Sequence, residues 1–380
     1  MKKIALTIPA FLCFFLLAFS QQSELLTNHL LEPASEPFQL TPVALYSSAQ
    51  GDQFSLALTG LLQQKTRQKK VLVYTKQNKP VELWFFPGTS NKKALVIGGM
   101  HGSELSSIEV ANTLIAQLAT GEIPFYNVLI IPSLFPDNAQ TAACDTAARV
   151  LNNTGRYTGQ QSADPNRQMP APGQPFLIRK PLDAATREIE TENQALLQLI
   201  QTYVPDRLIS IHSIREHNKA GVFADPRTDC NGNALGFDTD QQLALLMACY
   251  IGSAGGISPG NNLDAAPTAL YYLDPPIAPE GKKQVRSYQL QTRAGRGTGV
   301  SLGTWCSTAV CGITPDYNRP AIRTLTMEFP GYLIPAELAA DEDQKKCSAM
   351  IELYASSIRS YFLQAFLVEE PMGETLLAER

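Results

Sequence analysis

Four short apolar runs punctuate the chain, at residues 94–98, 127–132, 207–212 and 321–329. The first two are almost continuously apolar, as strands buried on both faces of a sheet are, 207–212 is an apolar run ending at His212, and 321–329 alternates apolar and polar positions. Residues 71–74 and 81–86 flank Gln77-Asn78-Lys79-Pro80 and predict a β-hairpin. Between these runs the spacing is helical. Val110, Leu114, Ile115 and Leu118 predict a helix after the first run, with Ser103 or Ser106 as its cap. Ile189, Leu196, Leu197, Leu199 and Ile200 predict one over 183–203; Ile351, Leu353, Tyr354, Ile358 and Phe362 predict another over 337–367. Residues 241–250 are also apolar and helical, but the rest of 214–296 is rich in Gly, Pro, Asp and Asn and gives little pattern. Strands alternating with helices predict an α/β fold: a single domain with a mostly parallel or mixed central sheet flanked by helices.

The two ends read differently. Residues 1–20 carry Lys2 and Lys3, an apolar core and Ala18-Phe19-Ser20, which predicts a secretory signal peptide and an exported, periplasmic or secreted protein. That apolar run is shorter than the ~20 residues of a membrane-spanning helix, and no other stretch offers one. Residues 21–69 are polar, with Pro33, Pro37 and Pro42, and read as an N-terminal extension packed on the catalytic domain of 70–368; residues 369–380 read as a polar tail. Without Lys2 and Lys3, 29 basic residues stand against 35 acidic ones, which argues against a nucleic-acid partner. Six cysteines follow the signal segment, and Cys306 and Cys311 are the pair whose spacing predicts a disulfide in an oxidising compartment. No Cys-x-x-Cys occurs, which excludes the usual structural zinc ribbon.

The candidate chemistry lies at the ends of the apolar runs. Gly98, Gly99 and Gly102 turn the chain after the first, and His101 and Glu104 stand in that turn. An imidazole and a carboxylate three residues apart can converge on one Zn²⁺, which needs a third protein ligand and an open position for water. His212, one of only four histidines, ends another apolar run. The carboxyl ends of strands are where ligands bind in open α/β sheets, so His101, Glu104 and His212 form the expected metal set.

His101-Gly102-Ser103-Glu104, Asp164-Pro165-Asn166-Arg167, Ser210-Ile211-His212-Ser213 and Thr326-Met327-Glu328-Phe329 occur in that order. Together they resemble the zinc metallocarboxypeptidases, including the bacterial murein-peptide amidases, over roughly residues 70 to 335. The resemblance implies that Glu328 is the general base and that Asn166 and Arg167 grip the substrate's terminal carboxylate. It implies that Asp164 orients a zinc histidine and that an upstream arginine, Arg156 or Arg149 with Arg156 favoured by spacing, stabilises the oxyanion. It also implies a small peptide or cell-wall stem peptide as substrate. A deacylase of N-acyl amino acids and a non-catalytic peptide-binding module are the alternatives on the same fold. The chain departs from the family where many members carry a mobile tyrosine: that position falls near Trp305 and Cys306, with Tyr288 and Tyr317 the nearest tyrosines. Ile313, at the position that tunes side-chain preference in digestive members, carries no charge. The long interval from His212 to Glu328 implies an inserted lid or a reshaped pocket within 214–290.

Overall fold

In the computed structural model the described residues are 44–46, 51–158, 163–236, 238–257, 279–283, 297–312, 314 and 317–365, all within the compact unit Thr41–Arg380. The expected signal segment, the polar tail, Tyr288, Ile313 and much of 214–290 lie outside them.

Seven strands form one mixed sheet: β1 (Gln68–Tyr74), β2 (Pro80–Phe86), β3 (Lys93–Ile97), β4 (Asn127–Ile131), β5 (Arg207–Ile214), β6 (Gly221–Ala224) and β7 (Arg323–Pro330), in the order β1-β2-β4-β3-β5-β7-β6. The four central strands are parallel, and the expected β1–β2 hairpin and the β6 edge pair antiparallel. Alternation along each central strand divides the core in two. Leu95, Ile97, Leu129, Ile131 and Leu208 face one apolar cluster, and Val96, Val128, Ile130, Ile209, Ile211 and Met327 face the other. Both faces are thus out of water, which is why β3 and β4 are almost continuously apolar; β5 and β7, whose ends reach the cavity, interleave polar residues.

The helices that cover the sheet are α1 (Gly51–Leu62), α2 (Leu105–Thr120), α3 (Pro136–Cys144), α4 (Thr146–Asn152), α5 (Thr191–Tyr203), α6 (Asp238–Ser253), the short α7 (Leu302–Cys306) and α8 (Asp341–Ser357), which runs on as a π turn over Ile358–Phe362. Helix α2 buries Val110, Ala111, Leu114 and Leu118. Helix α5 buries Leu196, Leu197, Leu199 and Ile200 on the opposite core. Among the expected N-terminal extension, α1 is a packed element: Phe54, Leu58 and Leu61 are buried in the same cluster as Leu95 and Trp305.

Three local expectations are corrected. Neither Ser103 nor Ser106 caps α2; Glu104 occupies the cap position, and the Ser106 hydroxyl instead reaches Ser213 Oγ at 2.7 Å and the Gly331 carbonyl at 2.8 Å. The helix expected from 183 begins at Thr191, because the Asp183 carboxylate accepts the backbone N–H groups of Ala185 and Arg187 and the Arg187 Nε–H, and so closes a turn. The helix expected from 337 begins at Asp341, after a 3₁₀ turn over Pro335–Glu337.

The disulfide is also corrected: Cys311 pairs with Cys230, 81 residues away, and not with Cys306. Cys306 ends α7 with its thiol buried in the core beside Trp305. Cys311 lies past a crossing in which Thr228 N–H donates to Ser307 O and Ala309 N–H donates to Thr228 O, and this crossing brings the loop of Cys230 alongside. Non-reducing peptide mapping is expected to recover Cys230 and Cys311 as one linked pair and to alkylate Cys306 only after denaturation. Replacing both linked cysteines by serine removes a loop constraint of roughly 4 kcal/mol on the chain-entropy account, read as a lowered Tm. A Cys306–Cys311 peptide would contradict the pairing.

Candidate metal centre and pocket

The turn after β3 is compressed against the next layer. Gly99 adopts φ +61°, and a Cβ there would meet Ser133 Cα at 2.8 Å. A Cβ on Gly102 would lie 2.3 Å from the Asn138 backbone at the start of α3, so no side chain fits. The turn delivers His101 and then Glu104, the latter at the N-terminus of α2, where the helix dipole favours a carboxylate.

The parallel pairing of β5 with β7 sets His212 opposite Glu328, and that of β3 with β5 sets Ile97 opposite Ser210. His101, Glu104 and His212, all buried, therefore converge, with their potential ligand atoms within 4.8 Å of one another. Glu104 is the hub. Its Oε1 lies 2.8 Å from His101 Nδ1 and accepts from Arg156 Nη1 at 2.8 Å. Its Oε2 lies 3.1 Å from His212 Nδ1 and accepts the Ser213 N–H at 3.1 Å. The outward nitrogens of both rings are occupied: His101 Nε2 by Asp164 Oδ1 at 2.8 Å, His212 Nε2 by Ser210 Oγ at 3.0 Å. Such outer partners fix ring orientation in metal sites.

Charge is distributed accordingly. Burial alone opposes ionisation of Glu104, but the charge and hydrogen bonds of His101 and His212 hold its carboxyl well below the usual range. Burial likewise disfavours a charged His101, yet Glu104 and Asp164 outweigh it and push the imidazole up to about 9. Two inward Nδ1 atoms, one carboxylate and a local demand for positive charge fit a divalent metal ion.

His101, Glu104, Arg156, Asn166, Arg167, His212 and Glu328 line one cavity of about 600 Å³. Asp164 stands behind it and caps the 3₁₀ turn Pro165–Arg167, accepting the Asn166 N–H at 2.9 Å. Asn166 Oδ1 accepts the Leu302 N–H at 3.0 Å, and Arg187 Nη2 donates to the Arg167 carbonyl at 2.8 Å, so the turn is fixed from two sides. The Glu328 carboxyl is pushed up to about 8, first by burial and then by the Glu104 charge.

Other residues singled out in the sequence lie elsewhere. Arg149 is buried against Glu337 and does not line the cavity. His217 is exposed and packs against Gly331. Trp305 and Cys306 are buried in the core, and Tyr317 is 37% exposed. Sequence reading missed Asn153, Arg215, Ser301 and Tyr332, all of which line the cavity. Two had a positional signal: Arg215 follows His212 by three residues, and Tyr332 follows Glu328 by four, just past Pro330-Gly331. Burial first, then the Glu104 charge, push the Tyr332 phenol up to about 12.

A parallel-centred α/β sheet with a buried His-Glu-His set at its strand ends is the architecture that the four sequence motifs imply. No protein-family model matches the chain, and no curated protein matches it. Solved structures similar to it include a murein-tripeptide amidase of Escherichia coli O157, at 18% identity over 77% of this chain and 94% of that one, with a TM-score of 0.37. A metallo-carboxypeptidase of Burkholderia cenocepacia is 15% identical over 82% and 69%, with a TM-score of 0.40. One of Pseudomonas aeruginosa is 14% identical over 81% and 68%, with a TM-score of 0.41.

The purified protein is expected to bind one divalent metal ion per chain by elemental analysis. His101→Ala should lose it and His217→Ala should keep it. Asp164→Asn should retain the site with roughly 10–100-fold weaker affinity, the usual cost of removing an outer partner. Stoichiometric metal in His101→Ala would refute the ligand set.

Proposed function

We propose that this chain is an exported, zinc-dependent, carboxypeptidase-like peptidase or amidase that hydrolyses an amide bond next to a free carboxylate in short peptides, with cell-wall stem peptides as the candidate substrates. The observation that carries the reading is one cavity shared by a metal-type His-Glu-His set, a separate carboxyl group on the neighbouring strand, and arginines. Export rests on the N-terminal sequence; among the described residues no helix is long and apolar enough to cross a membrane.

His101, Glu104 and His212 would hold the zinc. When bound, Zn²⁺ supplies a Lewis acid that polarises a carbonyl and acidifies water. Glu328 takes the proton of the attacking water and hands it to the departing nitrogen, which is otherwise a very poor leaving group. It comes from β7, one strand over from His212, and is not among the three residues that would hold the metal. Arg156 spends one donor on Glu104 and one, at 3.4 Å, on Asp164, and has further N–H groups that would stabilise the oxyanion. Asn166, whose Oδ1 is taken by the Leu302 N–H, has its amide nitrogen left as a donor and lines the cavity together with Arg167. A planar guanidinium binds a carboxylate bidentately, so this pair anchors the substrate's terminal carboxyl.

Glu328→Gln keeps the shape but cannot take a proton. It is expected to keep zinc and substrate affinity while kcat falls by ~10²–10⁴. Turnover like that of wild type would place the base elsewhere. Arg156→Ala should lower kcat by roughly 10²–10³. Amidating the substrate's terminal carboxyl should cut kcat/KM sharply in the wild type and little in Arg167→Ala, because the lost partner is then already gone. Equal losses in both proteins would remove Arg167 from carboxylate binding. Zinc and peptide binding without hydrolysis of any stem peptide, simple peptide or acyl amino acid would make the chain a binding module.

A further inference from the structure

A second cavity, of about 280 Å³, shares no lining residue with the first. The two meet only at the loop after α4: Asn153 and Arg156 line the first cavity, and Gly155, Tyr157 and Thr158 line the second. Asn138 of α3 fixes that loop by donating Nδ2 to the Tyr157 carbonyl at 3.0 Å. Phe135 and Asp137 close the second cavity at the start of α3, and Glu190 and Glu192 close it at the start of α5. It reaches solvent where Lys76, Gln77 and Thr141 are exposed.

Three carboxyl groups line this cavity, and the nearby lysines match only two of them. Lys76 Nζ lies 2.8 Å from Glu190 Oε2, and Lys79 Nζ lies 3.3 Å from Asp137 Oδ1. Glu192 forms no ion pair among the described residues, and only its own backbone N–H meets its carboxyl. It is nonetheless only 6% exposed. Glu190 is 7% exposed, and its Oε1 has no hydrogen-bond partner. An acidic residue in the first turn of a helix is ordinary, but there it caps the helix or faces water. Glu190 makes no side-chain cap bond, and neither residue faces open water. Burial first, then the charges of Glu190 and Asp137, push the Glu192 carboxyl up to about 7, against its own N–H and Lys76. The cavity therefore has a local demand for positive charge.

The walls decide which kind of cation fits. Among the described residues only His101, Glu104 and His212 bring three ligand atoms within 4.8 Å of one another, so the carboxyl groups here do not converge as a metal set does. The volume is about nine times the ~30 Å³ share of a water molecule, more than a bare ion fills. Phe135 and Tyr157 offer apolar surface to a carbon stem, and aromatic faces also attract cations.

We infer that this cavity binds an organic ammonium group on a short apolar stem, with Glu192 and Glu190 Oε1 receiving the ammonium and Phe135 and Tyr157 receiving the stem. The site is separate from the metal centre and does not depend on the peptidase reading.

The test is calorimetric titration of the metal-loaded protein with phenethylamine and with phenethyl alcohol, which replaces the ammonium by a neutral hydroxyl. At pH 8 the amine is expected to bind about 10- to 100-fold more tightly than the alcohol, the range for hydrogen bonds to a charged group. Glu192→Gln keeps the side chain's size and removes its charge; it should abolish that preference at an unchanged Tm. Glu328→Gln, in the first cavity, should keep it. The wild type gives a second readout. Glu192, faced by Glu190, Asp137, Lys76 and the Lys79 beyond, gains a proton as pH falls, so amine affinity should drop about tenfold from pH 8 to pH 6. At pH 7 binding should release about half a proton, read from the heats in two buffers. Equal binding of amine and alcohol, an affinity independent of pH, or a preference that survives Glu192→Gln overturns the inference. A preference lost in Glu328→Gln would place the amine in the first cavity and also overturn it. Calcium binding that Glu192→Gln removes, without binding of the amine, would make this an inorganic cation site and equally overturn the assignment.

Discussion

The buried carboxylate of Glu104 is the constraint on which the centre depends. A carboxylate 2% exposed to solvent is costly unless it is paired. This one is met from three segments of the chain: the turn after β3 through His101, the end of β5 through His212 and Ser213, and the loop after α4 through Arg156. Its position at the start of α2 adds the helix dipole. Satisfying Glu104 therefore closes the loops over the sheet and assembles the site in the same step. Removing one partner would leave a buried charge short of compensation, which costs more than the bond itself is worth.

The sheet supplies what that carboxylate cannot, namely register. Parallel pairing of β3, β5 and β7 aligns their carboxyl ends, and side chains on one strand face alternate with period two. A slip of one residue in β5 would turn His212 into the core and bring Ile211 to the site. Ile209 and Ile211 are fully buried among Val96, Val222 and Met327, and this apolar packing prevents the slip. The same packing holds Glu328 one strand away from the His-Glu-His set.

This division explains what the sequence made legible. The central strands were readable because burial on both faces concentrates apolar residues in short runs, and His101, Glu104 and His212 were readable because they stand at the ends of those runs. Motif resemblance then pointed to Asn166, Arg167 and Glu328, which line the cavity, and to Asp164, which bonds the His101 ring. Elements held by distant partners left little local trace. Strand β6 is four residues at an edge, and α1 is recognisable only by the core that receives Phe54 and Leu58. The Thr191 start of α5 depends on the Asp183 turn, and the partner of Cys311 stands 81 residues away, whereas spacing alone favours Cys306. Arg215 and Tyr332 escaped notice because their approach to the cavity depends on the backbone after the strand ends, not on the strand pattern.

The cavity's other wall is irregular backbone, and its stability needs a separate account. Carbonyls in loops must find donors when they are buried. Two arginines outside the cavity supply them here. Arg187, oriented by Asp183, donates Nη2 to the carbonyls of Arg167 and Thr298 and so joins the Asn166-Arg167 turn to the segment before α7. Arg319 is 3% exposed and donates to the carbonyls of Trp305, Cys306 and Thr308, with its guanidinium 4.5 Å from the Trp305 ring. Trp305 Nε1 in turn donates to the Gln174 carbonyl. The fork geometry of arginine lets one side chain satisfy several carbonyls that no strand could pair. The His-Glu-His set is thus held by sheet register, while the Asn166-Arg167 turn at the cavity is held by side chains acting as backbone donors. Loops fixed in this way can change their exposed residues without disturbing the strand-end cluster, because the sheet and not the loop holds that cluster in place.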